Sequence, residues 1–273
     1  MPLWQNPRWF DAGKRREQLD DYVDATGKAS FGIRRYAAGE KYMAVRRHFN
    51  RVAPKYDFMN SLLSMGIQHV WKRQAVRMLH IRSGERVLDV CGGTGDLSIL
   101  AARRTGPTGR VVIYDINYAM IQAGRHKIDP YTALGHIAYT QGDAEHISFP
   151  DNTFDVAMVG FGIRNVTHLK RGFKEMCRVL KPGGRMLCLE FSRPANPLFR
   201  ALYDFYSFNI MPLLGALIVG SAESYACLPE TIRMFPLPHE LAAMLESSGF
   251  EQVRHRSMTD GIAVAHVGVK SRR

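Results

Sequence analysis

The rhythm of apolar and polar positions changes three times along the chain. Between residues 41 and 79 it is helical: Val45, His48, Phe49, Val52 and Tyr56 recur at three- and four-residue steps. A second helix fits residues 71–79, and between the two lies the polar and aromatic knot Tyr56-Asp57-Phe58-Met59-Asn60. Short apolar runs then take over at 86–91, 110–115, 136–141, 154–159 and 185–191, with helical stretches at 97–104, 120–127 and 170–180 between them. Strands alternating with helices predict a mostly parallel sheet covered on both faces. The alternation breaks at 193–235, a segment rich in aromatic residues, Leu and Met. A helix over 238–247, stopped by Gly249, and two strands over 252–257 and 262–269 complete the pattern. Residues 1–40 lack a clear strand and read as an extension carrying one helix over 11–25, with Trp4, Trp9 and Phe10 as anchors for the body or for a membrane interface.

The first apolar run feeds Gly92-Gly93-Thr94-Gly95, and Asp96 opens the next helix. Such a turn brings backbone N–H groups close to a ligand. Alone it is equally a tight turn needing positive φ, and it lacks the full G-x-G-x-x-G spacing. The acids around it sharpen the reading. Asp89 sits inside the first strand. Asp115 ends the second and is placed to accept from both ribose hydroxyls, with Ile116 beside it; Asp143 follows the third and suits an adenine amino group, with Ala144 covering the ring. Asp89 and Asp96 would repel a dinucleotide's phosphates but suit the ammonium and sulfonium of S-adenosylmethionine. The expected class is therefore an α/β, Rossmann-like, S-adenosylmethionine-dependent methyltransferase, not a nicotinamide reductase. The cofactor-binding core spans 81–192, after N-terminal helices at 41–80; 193–235 is an acceptor or lid insertion, and 236–273 closes the body.

The net charge of +12 and pI near 9.7 point to an anionic neighbour, nucleic acid or lipid. The charge comes mostly as doublets, Arg34-Arg35 and Arg272-Arg273 among them. Methylation of a base amino group usually goes with an Asn/Asp-Pro-Pro-aromatic motif after the fourth strand. Gly160-Phe161-Gly162-Ile163-Arg164-Asn165 stands there instead, so nucleic acid is not expected. The four cysteines form no CxxC pair, and no His/Cys cluster has metal-ligand spacing, so no metal is expected. The first residues carry no hydrophobic signal region, and Asp11, Glu17, Asp20, Asp21 and Asp24 argue against a mitochondrial presequence. A cytoplasmic protein with reduced thiols is the expectation. The most apolar run, 210–220, is interrupted by Pro212, so no membrane-spanning stretch is expected.

Residues 42–270 resemble the ubiquinone/menaquinone biosynthesis C-methyltransferases (the UbiE/MenG family). The segments that carry the resemblance run from Phe49 to Asn60, Leu88 to Asp96, Phe149 to Asp155, Phe161 to Val166, Arg178 to Gly184 and Leu189 to Ser192. The Tyr-Asp-x-Met-Asn and Phe-Gly-x-Arg-Asn-Val segments are the specific ones. The resemblance implies a seven-stranded sheet and methylation of a reduced polyprenylated benzoquinol, a demethylmenaquinol, or both. It puts cofactor contacts on Thr94, Asp115, Asp143 and Ala144, and on Gly160, where a serine is frequent. It implies a water-linked proton network on Tyr56, Arg164 and Asn165; on chemistry alone Asp57 is the natural general base. In the insertion, Tyr203, Tyr206 and Phe208, together with Phe161, are expected to line a pocket for the acceptor and its tail, with Arg233 at its mouth. A lipid tail and a basic surface together imply peripheral contact with an anionic membrane at its inner face. A homodimer is compatible with all of this. The rival readings are a methyltransferase for another small molecule or RNA, and a scaffold without turnover.

Overall fold

The computed structural model describes residues 9–16 and 19–272; Trp4, Glu17 and Arg273 lie outside the described residues. Its centre is a seven-stranded sheet in the order β5-β4-β3-β6-β7-β9-β8. The strands are β3 (Arg86–Val90), β4 (Arg110–Asp115), β5 (Ile137–Gln141), β6 (Phe154–Gly160), β7 (Leu180–Phe191), β8 (Phe250–Met258) and β9 (Ala263–Lys270). β3 to β7 pair in parallel; β9 runs antiparallel between β7 and β8. The apolar runs form the inner strands because both faces are covered: Val87, Leu88 and Val90 of β3 are fully buried. On one face they meet α6 (Asp96–Thr105) and α7 (Tyr118–Ala133); on the other, α8 (Leu169–Val179) and the helix Pro238–Ser247. Order reverses between β3 and β6, and at such a switch point an open α/β sheet leaves a crevice beyond its strand ends.

The N-terminal part departs from the sequence expectation. The helix expected over 11–25 is two short helices, α1 (Ala12–Arg16) and α2 (Asp20–Thr26). A hairpin of β1 (Lys28–Phe31) and β2 (Arg34–Ala37) follows, where no strand was expected. The segment is fastened to the body. Asp20 accepts from the Lys170 and Arg171 amides at 2.9 Å each, capping the free N–H groups that open α8. Arg15 pairs with Glu240 at 2.7 Å. Three helices follow the hairpin: α3 (Ala38–Val52), α4 (Tyr56–Leu63) and α5 (Gln68–Met78).

The segment after β7 holds the second correction. Pro212 does not interrupt the apolar run: α9 (Pro197–Phe205) passes through a π turn (Tyr206–Ile210) into α10 (Met211–Val219) as one 23-residue helix. A wider π turn relieves the clash that a proline ring imposes on the preceding turn. By length and composition this helix is long and apolar enough to cross a membrane, and only 22% of its most apolar stretch is buried. One face is nonetheless anchored on the protein. Asp204 pairs with Arg233, the Tyr206 hydroxyl donates to the Leu63 carbonyl at 2.9 Å, and Gly215 packs so closely on Tyr225 that a Cβ would collide with the ring. The other face carries Leu198, Leu202, Phe205, Ile210, Leu213 and Leu217, all exposed. The five-residue step from Phe205 to Ile210 falls on the π turn, whose extra residue per turn keeps the stripe on one side.

Candidate active site

The strand ends open into one cavity of about 1310 Å³. That exceeds the usual range for one small ligand, roughly 300–1,000 Å³, and leaves room for two.

The first half of the cavity is built on the glycine turn. Gly93 has φ 53° and Gly95 φ 82°, a left-handed backbone that other residues adopt only with strain. A Cβ on Gly92 would lie 2.9 Å from the Asp89 carbonyl oxygen, so the wall stays bare there. Asp115 accepts from the Gly93 amide at 2.9 Å and the Asn117 amide at 2.7 Å, which fixes both carboxylate oxygens at the β4 end. Burial nonetheless pushes its pKa up to about 6. Asp89 is 1% exposed, and its Oδ2 accepts from Ser98 Oγ at 2.6 Å. Its Oδ1 is buried without any partner among the described residues. Burial pushes this carboxyl up to about 7. An orphaned buried carboxylate oxygen beside a bare glycine cradle fits a ligand that brings its own cation, as S-adenosylmethionine does. Asp115, Ile116, Asp143 and Ala144 line the same half, and Cys91 closes it with φ 52°. At Gly160 a Cβ would run into Leu97, so the leucine fills the room that a serine would take.

A cluster of charges fastens the N-terminal helices to this turn. Lys127 of α7 bonds Asp57, Asp96 and the Thr94 hydroxyl, and that hydroxyl donates to Asp57 at 2.6 Å. Lys72 of α5 pairs with Asp96 at 2.7 Å. Burial opposes ionisation of Asp96, but the two lysines hold its pKa well below the ordinary carboxylate range. Asp96 is therefore committed to lysines and is not a free counter-ion for a cofactor cation. Asp57 is likewise engaged, through both oxygens.

The second half is apolar. Phe161 stacks on Phe191 with centroids 4.4 Å apart, and Trp71 stands edge-on to Phe191. Tyr203, Tyr206, Phe199, Leu202 and Tyr225 continue the wall. Burial pushes the Tyr203 hydroxyl up to about 12. Arg164 enters from the end of β6, 9% exposed. Its partner is Glu190 at 3.0 Å, and its guanidinium stands 5.5 Å from the Phe191 ring centroid. Arg164 Nε and Asn165 Nδ2 are buried without a partner among the described residues. Tyr56 is close enough to feel the Arg164 charge, although burial still raises its pKa. The cavity thus brings Tyr56, Arg164, Asn165, Phe161, Tyr203 and Tyr206 together.

Two expected residues stand elsewhere. Arg233 is not at a mouth: it is 1% exposed, sandwiched between the Trp9 and Phe208 rings at 4.8 and 4.1 Å from their centroids. Neither Arg233 nor Phe208 lines the cavity. A buried guanidinium needs a carboxylate and aromatic faces, and Asp204, Trp9 and Phe208 supply them. Several lining residues were missed. Phe31 arrives on the unexpected hairpin. His48, read only as part of a helical stripe, faces the cavity with its pKa lowered to about 4 by burial and by Arg164. Lys72 carried no sequence signal beyond standing beside Arg73 in the helix expected over 71–79.

Sheet order, glycine cradle and strand-end acids define a S-adenosylmethionine-dependent methyltransferase. The ubiE/COQ5 methyltransferase family model matches residues 35–270, and the chain belongs to that family. It is 47% identical over 247 residues to a protein named ubiquinone/menaquinone biosynthesis C-methyltransferase UbiE from Stutzerimonas stutzeri, covering 90% of this chain and 96% of that one. It is 48% identical over 240 residues to the protein of the same name from Haemophilus ducreyi, covering 88% and 93%. Among solved structures, a S-adenosylmethionine-dependent methyltransferase from Aquifex aeolicus superposes with a TM-score of 0.55 at 16% identity, covering 78% of this chain and 97% of that one. One from Thermotoga maritima gives 0.57 at 18% identity, covering 83% and 99%. These two share the fold.

Proposed function

We propose that the chain methylates a ring carbon of a reduced polyprenylated quinol, in the step for which its UbiE relatives are named. One observation carries the reading: a single cavity joins the acid-lined cofactor half to an aromatic half in which one buried arginine stands. When bound, S-adenosylmethionine supplies an electrophilic methyl group. Asp115 would hold the ribose hydroxyls, Asp143 and Ala144 the adenine, Thr94 and the glycine turn the amino-acid end.

The work of the chain is to make a weak carbon nucleophile reactive and keep the site dry. A quinol carbon gains electron density when the neighbouring hydroxyl loses its proton. Arg164, its charge already placed by Glu190, stabilises the phenolate. Asn165 Nδ2 and Tyr56 hold a ring oxygen or the water that carries the proton away. Phe161, Phe191 and Trp71 exclude bulk water around them. Asp57, committed to Lys127 and Thr94, serves as a positioning residue that holds Tyr56 over the acceptor. The exposed stripe of the 197–219 helix reaches the cavity wall through Leu202, Phe205 and Ile210, so a prenyl tail leaves the pocket along the surface that rests on the membrane. Lys55, which donates to the Ile218 carbonyl, sets a positive charge beside it.

Labelled methyl transfer to extracted lipids tests the proposal. Label enters demethylmenaquinol, its benzoquinol counterpart, or both, and Asn165→Ala removes most of it. Cofactor binding without label in either lipid would sink the quinol assignment. A dimer in solution that conceals the stripe would give that face to a second copy instead of a bilayer.

A further inference from the structure

The cofactor's amino-acid end carries a carboxylate as well as an ammonium and a sulfonium. Strand-end acids suit the two cations but repel the carboxylate, so the pocket must present a cation to it. Among the described residues four lysine or arginine side chains line the cavity: Arg46, Lys72, Arg164 and Arg171. Arg164 stands among the aromatic rings of the acceptor half, tied to Glu190. Arg171 opens α8, whose Gly172 faces the Ala144 carbonyl, and this is the adenine end. Arg46 is exposed on α3, with its carbonyl bonded by Asn117 just past the β4 end.

Lys72 is different. It is 8% exposed and lies against the start of α6, directly after the glycine turn. Its ammonium donates to Gln68 Oε1 and to Asp96 Oδ2, both at 2.7 Å. An ammonium has three N–H donors, and the third has no partner among the described residues. Lys127 makes an instructive contrast: its three donors go to Asp57, Asp96 and Thr94, so it is saturated as a cross-link. A second observation marks the same spot. Asp89 Oδ1, one strand end away, is buried and has no partner among the described residues. A spare buried donor and a spare buried acceptor flanking one glycine turn match the two ends of a zwitterion. The N-terminus of α6, a ten-residue helix with Gly95 as its N-cap, adds free backbone N–H groups and a favourable dipole for an anion.

We infer that Lys72 holds the α-carboxylate of S-adenosylmethionine, with Asp89 taking the ammonium. Asp96 then acts through Lys72, aiming its third donor at the cavity. A ligand that keeps its sulfonium and ammonium but lacks the carboxylate should discriminate this role from a structural one.

The test is calorimetric titration of the full-length chain with S-adenosylmethionine and with decarboxylated S-adenosylmethionine. The wild type should prefer the carboxylated ligand by about 10- to 100-fold, the range for a charge-assisted hydrogen bond. Lys72→Met should abolish that preference by weakening S-adenosylmethionine alone, and Lys72→Arg should restore part of it. Lys127→Met, whatever it does to overall affinity, should leave the preference in place. Equal wild-type affinity for the two ligands would overturn the inference before any variant is made. A Lys72→Met chain that loses both ligands equally, or neither, would overturn it too and leave Lys72 as a partner of Asp96 alone. Should Lys72→Met fail to fold, the wild-type ratio and its value in Lys72→Arg decide the matter.

Discussion

The two halves of the cavity are made in different ways. The cofactor half rests on strand ends and a glycine turn, and the groups proposed to work there are acids: Asp115, with both oxygens on backbone amides, and Asp89, held through one oxygen by the Ser98 hydroxyl. The acceptor half rests on helices added around the sheet, and its working group is one buried cation among aromatic rings. A ligand with its own positive charges selects the first construction; an apolar ring that must become an anion selects the second. Damage in one half should therefore separate binding of the cofactor from reaction of the acceptor.

The largest separation is expected at Arg164. Arg164→Met should lower the methyl-transfer rate by about 10²–10³, in line with the loss of one donor to a developing anion. Cofactor affinity should stay within about threefold by calorimetry. Removing one member of a buried ion pair also costs about 3–5 kcal/mol of stability. Arg164→Met with Glu190→Gln should recover part of that stability in a denaturant titration but none of the rate.

Asp115→Asn is the mirror experiment. It should weaken S-adenosylhomocysteine about 10- to 100-fold while the KM for the acceptor barely moves. The acids also give the two halves different responses to pH. Burial pushes Asp89 up to about 7 and Asp115 up to about 6, and in the proposed site it is their ionised forms that take the ligand. Affinity for S-adenosylhomocysteine should therefore strengthen as pH rises through that window and weaken as it falls. Asp89→Asn should flatten the upper part of the slope.

A smaller effect is expected at the exposed stripe. Leu198→Glu combined with Leu217→Glu removes two exposed leucines, each remote from the glycine turn. Cosedimentation with anionic phospholipid vesicles should fall about tenfold or more, since each buried leucine is worth roughly 1.5–3 kcal/mol, while cofactor affinity holds. The smallest effect is expected at Gly160→Ser. Leu97 must move to admit the side chain, so cofactor affinity should change by less than about threefold, read by the same titration.

The sheet was legible because each inner strand is a continuous apolar run, and such runs have few alternatives once helices alternate with them. The acids at 89, 115 and 143 were legible because strand ends in this fold face a ligand crevice. What escaped was set by contacts distant in sequence. The hairpin over 28–37 has strands of only four residues, and its buried Phe31 packs on α3 and Cys227. The long helix crosses Pro212 through a π turn that periodicity does not announce. Arg233 is buried because Trp9, 224 residues away, covers it. The charge cluster joins Asp57, Lys72, Asp96 and Lys127 from four separate helices, so pairwise spacing gave no sign that Asp57 and Asp96 were already neutralised.

In the proposed function a cofactor half and an anion-stabilising half share one cavity so that a reduced quinol carbon is methylated. The decisive measurement is transfer of labelled methyl to demethylmenaquinol and to its benzoquinol counterpart, each with and without reductant. Label should enter at least one lipid, only in its reduced form, and should be lost in Arg164→Met with cofactor binding intact. Label that is independent of reductant, or that persists in Arg164→Met, would contradict that function.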